Sequence, residues 1–221
     1  NYPFVYENIE ESTDFKTLKN NLNIGFIKIG NWDETRNYVK DEIDTFAKKL
    51  SRIKNINLEI IEWPKTFPDP HEVHNIIYTK SLGYYFKREK EHSEFISDIM
   101  LDMMEKSEKI SADDYRRALK DQENLFIKFN NLINKYDFLF TSSTSSSAPD
   151  RSNIELKDSS LVWTLLHFPS ISVPLFRCPD GLPFGLQFIS KKWADYNLLS
   201  LVEELIDLEL FPSGSTEIIK I

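Results

Sequence analysis

Residues 179–187, Pro-Asp-Gly-Leu-Pro-Phe-Gly-Leu-Gln, constrain the fold more strongly than any other stretch of this sequence. The opening Pro-Asp-Gly is typical of a tight turn, because proline presets one backbone torsion and glycine accepts a positive φ. Apolar runs lie on both sides, at 171–176 and 184–189. The pattern therefore predicts two antiparallel strands joined as a hairpin.

The amino-terminal third predicts a strand, a helix and a second strand. The first strand covers 22–29, and a helix follows over about 34–53, with Asp33 as its N-cap. The second strand covers 56–62 and ends before Pro64. A crossover of this length predicts parallel strands and places the chain in the α/β class. The apolar stripe of the helix recurs every three or four residues, at Val39, Ile43, Phe46, Leu50 and Ile53.

Helices dominate the middle of the chain. Residues 71–108 are predicted to be helical in two pieces, and another helix runs from Ser111 to about Lys135. A short buried strand at 137–141 follows. The stripes of the first two pieces are Leu82, Tyr85 and Phe86, then Phe95, Ile99 and Met103. The buried face of the third is Tyr115, Leu119, Leu125, Phe126, Phe129, Leu132 and Ile133.

The remaining segments complete the prediction. Residues 142–150, Ser-Ser-Thr-Ser-Ser-Ser-Ala-Pro-Asp, have the composition of a flexible linker. A helical segment is expected at about 157–167. A closing helix at about 194–207 carries Leu198, Leu201, Val202 and Leu205 on one face. Residues 1–20 are acidic and without periodicity, and we expect an extended lead-in there. We expect residues 21–221 to form a single α/β region.

Composition excludes several functional classes. The chain has 6 glycines, 1 cysteine and a formal net charge of −8. No Gly-rich phosphate-binding motif, disulfide framework or thiolate zinc site can be built from this set. The acidic balance argues against nucleic acid as a partner, and no apolar run is long enough to span a membrane. We expect a cytoplasmic protein without cofactor or metal. The first residue is Asn1 rather than a methionine, so we expect a chain that is processed, excised or part of a longer product.

No catalytic constellation can be assembled from the histidines and the cysteine. His71 and His74 lack a third metal ligand and suit a polar helix start. His92 lies in a mixed-charge run typical of a solvated face. His167 has apolar neighbours, which favours a hydrogen-bonded histidine in a core or pocket. Pairing it with Cys178 as a nucleophile has no motif support.

Five segments of the carboxyl half resemble the amidase signature family, including its amidases and the A-type subunits of glutamyl-tRNA amidotransferases. Residues 180–187 are similar to the family's "dGLPvGlQ", and 136–141 resemble its "YDvLltP" strand. Residues 142–149 resemble its "PTTPTPAP" loop, 161–169 its "iWTllGvP" segment, and 170–174 its "aiSvP" element. The resemblance implies that the serine run is an ordered passage near a substrate pocket rather than a tether.

The amino half of the chain resembles the same family more loosely. Residues 22–26 are similar to its "LrIGv" strand, and 111–115 to its "saxdY" helix start. The implied fold is the C-terminal part of a mixed sheet flanked by helices, within a larger amidase domain. The implied chemistry is hydrolysis of a carboxamide C–N bond by a serine–serine–lysine triad.

The resemblance also implies what this chain contributes. No position matches the motifs that carry the triad, so no catalytic residue is assigned, and the missing N-terminal amidase segment is the expected partner. Gly185 and Gln187 could instead support the hairpin structurally. Trp163 could instead be a core residue that does not contact a ligand. The side chains expected to wall the pocket for a small amide substrate are Thr141, Ser142, Ser143, Trp163, Thr164, His167 and Gln187.

Two departures from the family pattern bear on the function. His167 stands where the family has the glycine of "GvP". Residues 97–102 lack the arginine of members that use glutamine as an ammonia source, and an aspartate there holds a carboxylate poorly. A hydrolase is therefore the first hypothesis. Two alternatives remain open: a non-catalytic, amidase-like binding or scaffold protein, and the A-type component of a glutamine-dependent amidotransferase. Association of the chain into a homo-oligomer is also open.

Overall fold

The computed structural model describes residues 21–150, 153 and 156–210. The expected lead-in at 1–20 lies outside the described residues. Contacts divide the described residues into two compact units, one made of those up to Pro64 and from Asn130 onward, the other of Lys65–Phe129. The prediction of a single region over 21–221 stays a prediction.

The first unit is built on a five-stranded mixed sheet with the order β2-β1-β3-β5-β4. β1 is parallel to β2 and to β3, while β5 is antiparallel to both β3 and β4. Two predictions are thereby confirmed, the parallel pair and the carboxyl-terminal hairpin. The strands are β1 (Leu22–Lys28), β2 (Ile56–Glu62), β3 (Phe138–Ser142), β4 (Ser170–Arg177) and β5 (Pro183–Ile189).

The described part of the first unit contains the helices α1 (Asn37–Leu50), α5 (Ser160–Leu166) and α6 (Asp195–Asp207). The prediction that Asp33 caps α1 is wrong. Asp33 lies inside a short 3-10 helix at Trp32–Glu34, and the extended backbone of Thr35 separates that turn from α1. The capping position falls to Arg36, whose side chain makes no capping hydrogen bond.

Aromatic side chains form the centre of the core on the sheet face that α1 and α6 cover. Phe26 of β1 stacks on Phe140 of β3, with ring centroids 5.1 Å apart and planes 9° apart. The ring of Phe46 on α1 lies nearly perpendicular to those of Phe140 and Phe188, in edge-to-face pairs. Such offset and edge-on pairs add stabilisation to the burial of the rings themselves. The predicted stripe of α6 is buried in the same cluster, at Leu198, Leu201, Val202 and Leu205.

Two glycines shape the β4–β5 hairpin. Gly181 has a φ of +86° and donates its N–H to the carbonyl of Cys178, so the chain reverses there as the Pro-Asp-Gly pattern predicts. The pairing register shifts between Val173 and Phe176. That irregularity brings the Val173 carbonyl against Gly185, where a Cβ atom would overlap it. Gly185 is therefore required by a close approach of two backbones.

The second unit is helical. Its elements are α2 (Pro70–Tyr85), a 3-10 helix at Glu89–Phe95, α3 (Asp98–Lys109) and most of α4 (Ala112–Ile133). Ser111 caps α4 as predicted, because its Oγ accepts the N–H of Asp114 at 3.0 Å. α2 and α3 meet where Gly83 faces Ser107 without room for a side chain.

Parts of the predicted buried faces in the second unit are wrong. Leu82 is buried, but Leu119 of α4 is exposed and the neighbouring Ala118 is buried instead. Because the close contact of α2 with α3 runs through Gly83, the buried positions of α3 shift to Met104 and Ser107. The exposed aromatic and aliphatic side chains that the stripes had placed inside are Tyr85, Phe86, Phe95 and Ile99.

Candidate functional site

Two loops meet where the parallel strands β1 and β3 end. The carboxyl ends of parallel strands lie at one edge of a sheet, which is where α/β proteins commonly bind ligands. The loop after β1 contains Asn31, and the loop after β3 contains the serine run. Arg36 donates its backbone N–H to the carbonyl of Ser145 at 2.9 Å, so the two loops are joined directly.

Hydrogen bonds hold the serine run in place. Ser145 is fully buried, and its Oγ donates to the carbonyl of Lys157 at 2.7 Å. The Nδ2 of Asn31 donates to the same Oγ at 2.9 Å and also to the Lys157 carbonyl. The backbone N–H of Ser147 donates to the hydroxyl of Tyr38 at 2.6 Å. The linker interpretation is therefore wrong for this segment, and its order agrees with the resemblance.

Ser142 and Ser143 extend the contact between β3 and β5. The N–H of Ser143 donates to the carbonyl of Gly185 at 2.9 Å, and its Oγ accepts the N–H of Gly185 at 3.1 Å. The Oγ of Ser142 lies 3.4 Å from that of Ser159, and both residues are buried. Both predicted wall residues thus have defined partners within the fold.

Thr141, Gln187 and Ser172 lie side by side across β3, β5 and β4, and we call this set the polar row. Thr141 pairs with Gln187, and Gln187 pairs with Ser172, so all three share one face of the sheet. Thr141 is 0% exposed and Gln187 is 6% exposed. Among the described residues, Thr141 Oγ1 and Gln187 Oε1 have no hydrogen-bond partner. The Nε2 of Gln187 donates to Ser172 Oγ at 3.4 Å.

The other three predicted wall residues lie on or next to α5. Trp163 is buried, whereas Thr164 is exposed and donates its hydroxyl to the carbonyl of Ser160. His167 is exposed and has a φ of +57°, at the C-cap of α5. The prediction of a hydrogen-bonded core histidine is wrong, because the side chain is exposed and the residue ends the helix. The predicted place of His167 in a pocket wall stays a prediction. The N–H of Phe168 donates to the Trp163 carbonyl at 3.2 Å, which completes the cap.

The other candidate side chains, His71, His74 and Cys178, lie at a helix start and beside a hairpin turn. Asp69 caps α2 through the N–H of His71 at 2.9 Å, as expected of a polar helix start. Burial and, to a lesser extent, the neighbouring His71 lower the pKa of His74. Cys178 is buried at the base of the hairpin turn, where its N–H donates to the Leu182 carbonyl. Across the described residues, no three or more His, Cys, Asp or Glu side chains are grouped to bind a metal.

Two residues of this region escaped the sequence analysis. Ser172 belongs to the polar row, and the only signal was its alternation with the apolar Ile171 and Val173. Asn31 donates a hydrogen bond to Ser145 in the serine run. Its only signal in the sequence was a break in the apolar pattern after Gly30. Neither signal indicates a partner, because the partners lie 15 and 114 residues away along the chain.

Sequence comparisons with known proteins agree on one family. The family model described as Amidase matches residues 3–199. The A-type component of the glutamyl-tRNA(Gln) amidotransferase from Borreliella burgdorferi is 30% identical over 138 residues, which are 56% of this chain and 28% of that protein. A fatty acid amide hydrolase from Arabidopsis thaliana is 32% identical over 119 residues, 47% of this chain and 20% of that protein. The chain thus spans less than a third of these relatives.

Solved structures agree on the fold. A crystallised amidase superposes with a TM-score of 0.73 at 18% identity, covering 86% of this chain and 46% of that chain. A 6-aminohexanoate cyclic dimer hydrolase superposes with a TM-score of 0.66 at 13% identity, covering 93% of this chain and 47% of that one. The mixed sheet flanked by helices is therefore confirmed. None of the helices in the described part of the chain has the length and apolar character of a bilayer span.

Proposed function

The chain belongs to the amidase family, and on that premise we propose that it is the C-terminal segment of a hydrolase that cleaves carboxamide C–N bonds. The observation that carries the proposal is the family match over 3–199 together with a fold that covers less than half of an amidase chain. The segment supplies sheet, helices and one wall of the substrate pocket. The serine–serine–lysine triad comes from an N-terminal segment, which is its partner in the complete protein.

The proposed reaction needs only proton transfers and an acyl intermediate. The lysine, acting through the bridging serine, takes the proton of the nucleophilic serine, whose oxygen attacks the amide carbon. Backbone N–H groups stabilise the oxyanion. The C–N bond breaks as the leaving amine takes up a proton, and water then hydrolyses the acyl-enzyme to acid and free serine. No step requires a metal or a cofactor.

The proposed pocket wall combines polar and apolar groups. Thr141 and Gln187 contribute buried polar atoms. Ser142 and Ser143 contact Ser159 and Gly185, and these contacts hold the start of the serine run in place. Trp163 contributes an apolar ring from α5, with Thr164 and His167 at the exposed side of that helix. Such a mixture suits an uncharged amide with an apolar body.

The residues at the start of α3 favour a hydrolase over a glutamine-dependent amidotransferase. Ser97 caps this helix, because its Oγ accepts the N–H of Met100 at 3.3 Å. Asp98 then places an acidic group in the first helical turn, where its negative charge interacts favourably with the helix dipole and stabilises the helix. The arginine expected in glutamine-using members is absent from 97–102. These six residues therefore offer no cation for the carboxylate of glutamine.

A fluorophosphonate probe, which labels activated serines, tests this proposal. The complete polypeptide that carries these 221 residues should be labelled at one serine outside them, and the labelled protein should lose amide hydrolysis. The 221-residue chain alone should remain unlabelled. Labelling of a serine within this chain would contradict the proposal. If the complete polypeptide is unlabelled and inactive, the non-catalytic binding or scaffold protein replaces it.

A further inference from the structure

Two adjoining cavities lie within the helical unit, and Lys80 and Tyr84 of α2 line both of them. The first has a volume of about 270 Å³ and lies between α2 and α3. The second has a volume of about 390 Å³ and lies between α2 and the start of α4. Because the two cavities share two side chains, one ligand can occupy both. Their lining residues all belong to Lys65–Phe129, so the cavities are formed within that unit.

Lysine side chains dominate the first cavity. Lys80, Lys87 and Lys90 line it, and Glu108 is the one acidic side chain among the described residues that do so. Lys90 Nζ lies 2.5 Å from Glu108 Oε1, so the charges of this pair compensate each other. Lys80 and Lys87 therefore leave two uncompensated positive charges at this cavity, in a chain whose formal net charge is −8.

The two uncompensated lysines are held differently. Lys80 Nζ donates to the carbonyls of Ser107 and Ile110 at 3.1 and 2.7 Å, so its position is fixed and one of its N–H groups remains to donate. Lys87 is exposed and makes no hydrogen bond or ion pair with any described residue. A phosphate monoester carries about two negative charges at neutral pH, which matches this pair of lysines.

Tyrosine rings dominate the second cavity, which Tyr84, Tyr85 and Tyr115 line. The rings of Tyr84 and Tyr85 are T-shaped, with centroids 5.3 Å apart, and both side chains are about three quarters exposed. Accessible aromatic faces of this kind stack on flat ligand rings. Arg116 also lines the cavity but is paired with Asp113 at 3.1 Å. The ligand group that suits this cavity is therefore an uncharged ring.

We propose that the two cavities form one binding site for a small phosphate monoester that carries a flat ring. The ring stacks on Tyr84 and Tyr85, and the phosphate oxygens accept hydrogen bonds from Lys80 and Lys87. Nucleoside monophosphates and simple aryl phosphates share this chemistry. The site goes beyond the proposed hydrolase, because no residue of the proposed pocket wall takes part in it.

Isothermal titration calorimetry of the 221-residue chain tests the site with adenosine 5′-monophosphate, and with adenosine and inorganic phosphate as its two halves. The monophosphate should bind saturably. Each half should bind at least about tenfold more weakly, because it lacks either the charged hydrogen bonds or the stacking. Equal binding of inorganic phosphate or of adenosine would overturn the proposal.

Phenyl phosphate distinguishes the two sources of the ligand. If it binds at least as tightly as adenosine 5′-monophosphate, the site takes simple aryl phosphates. Weaker binding of phenyl phosphate assigns the site to nucleoside monophosphates. Absence of saturable binding by both ring-bearing phosphates would overturn the proposal.

Lys87→Gln tests the phosphate contact and should weaken binding of the tighter of these two ligands about tenfold, through the loss of a charged hydrogen bond. Lys120→Gln is the matched control, since Lys120 is an exposed lysine of α4 that lines neither cavity. It removes the same charge and should bind as the parent chain does. Equal losses in the two variants would reduce the effect to general electrostatic attraction and overturn the proposal.

Tyr84→Leu tests the stacking contact, because it removes the ring that lines both cavities and keeps an apolar side chain. It should weaken binding of the same ring-bearing phosphate about tenfold and leave the weak binding of inorganic phosphate unchanged. Tyr84 and Lys87 are both exposed, so each variant should melt at the temperature of the parent chain. Unchanged affinity of Tyr84→Leu for the ring-bearing phosphate would contradict the proposed site.

Discussion

The backbone of Val173 lies against Gly185 so closely that a Cβ atom on Gly185 would overlap the Val173 carbonyl. The contact falls at the register shift of β4, directly opposite the strand that carries Gln187. The N–H and C=O of the same glycine bond Ser143. One glycine thus fixes the spacing between β4 and β5 and also attaches the start of the serine run to the sheet.

Substitution of Gly185 by alanine is expected to destabilise the chain by about 3 kcal/mol, since backbone and not a flexible side chain must move. Gly30→Ala is the matched control. A Cβ there meets Trp63 at 3.6 Å, an ordinary contact, and the change should stay within about 0.5 kcal/mol. Urea unfolding of the two variants measures the difference. Similar midpoints for both would contradict the packing argument.

His167→Gly should stabilise the chain by about 1 kcal/mol, because His167 holds a left-handed backbone (φ +57°) that glycine adopts without strain. His167→Ala should bring no such gain, since alanine keeps the Cβ atom. The side chain is exposed, so little packing is lost in either variant. Thermal melting of both variants provides the test, and a gain for alanine equal to that for glycine would refute the backbone explanation.

The raised pKa of the Tyr136 phenol leads us to expect that the chain loses folding stability at alkaline pH. Burial first, and then the hydrogen bond and charge of Glu59, raise the pKa of Tyr136 to about 12 from its ordinary value of 10.0. The neutral phenol is favoured in the folded chain, so its contribution is complete below about pH 10 and is lost as the pH rises towards 12. Tyr136→Phe should show a smaller fall in unfolding free energy between about pH 9 and pH 11, at constant salt. Equal slopes would show that other groups control this range.

Ser145→Ala should lower stability by about 2 kcal/mol, since the buried Asn31 amide and Lys157 carbonyl would both lose a partner. Ser146→Ala is the control in the same run. Its half-buried hydroxyl bonds only the adjacent Ser147 carbonyl among the described contacts, so its loss should cost less than about 0.5 kcal/mol. Differential scanning calorimetry compares the two. Equal effects would mean that Ser145 does not anchor the loop.

Local pattern predicted much of this fold, with limits that have physical causes. The β4–β5 hairpin followed from the Pro-Asp-Gly turn, and the β1–α1–β2 unit from alternating and helical periodicity. Periodicity failed at Phe95 and Ile99, which are exposed, because a helical stripe shows that a helix can bury a face but does not name the partner. Asp33 failed as a cap because a 3-10 turn takes its place.

The sequence by itself determined the family, the α/β class and the positions of most strands, because turn chemistry, periodicity and short motifs are local properties. Only the tertiary structure decided that β3 lies between β1 and β5, and that Thr141, Gln187 and Ser172 form one row. It also decided that Ser145 is buried and bonded and that His167 faces outward. Strand order and register depend on contacts between residues far apart in the chain, and no local pattern encodes them.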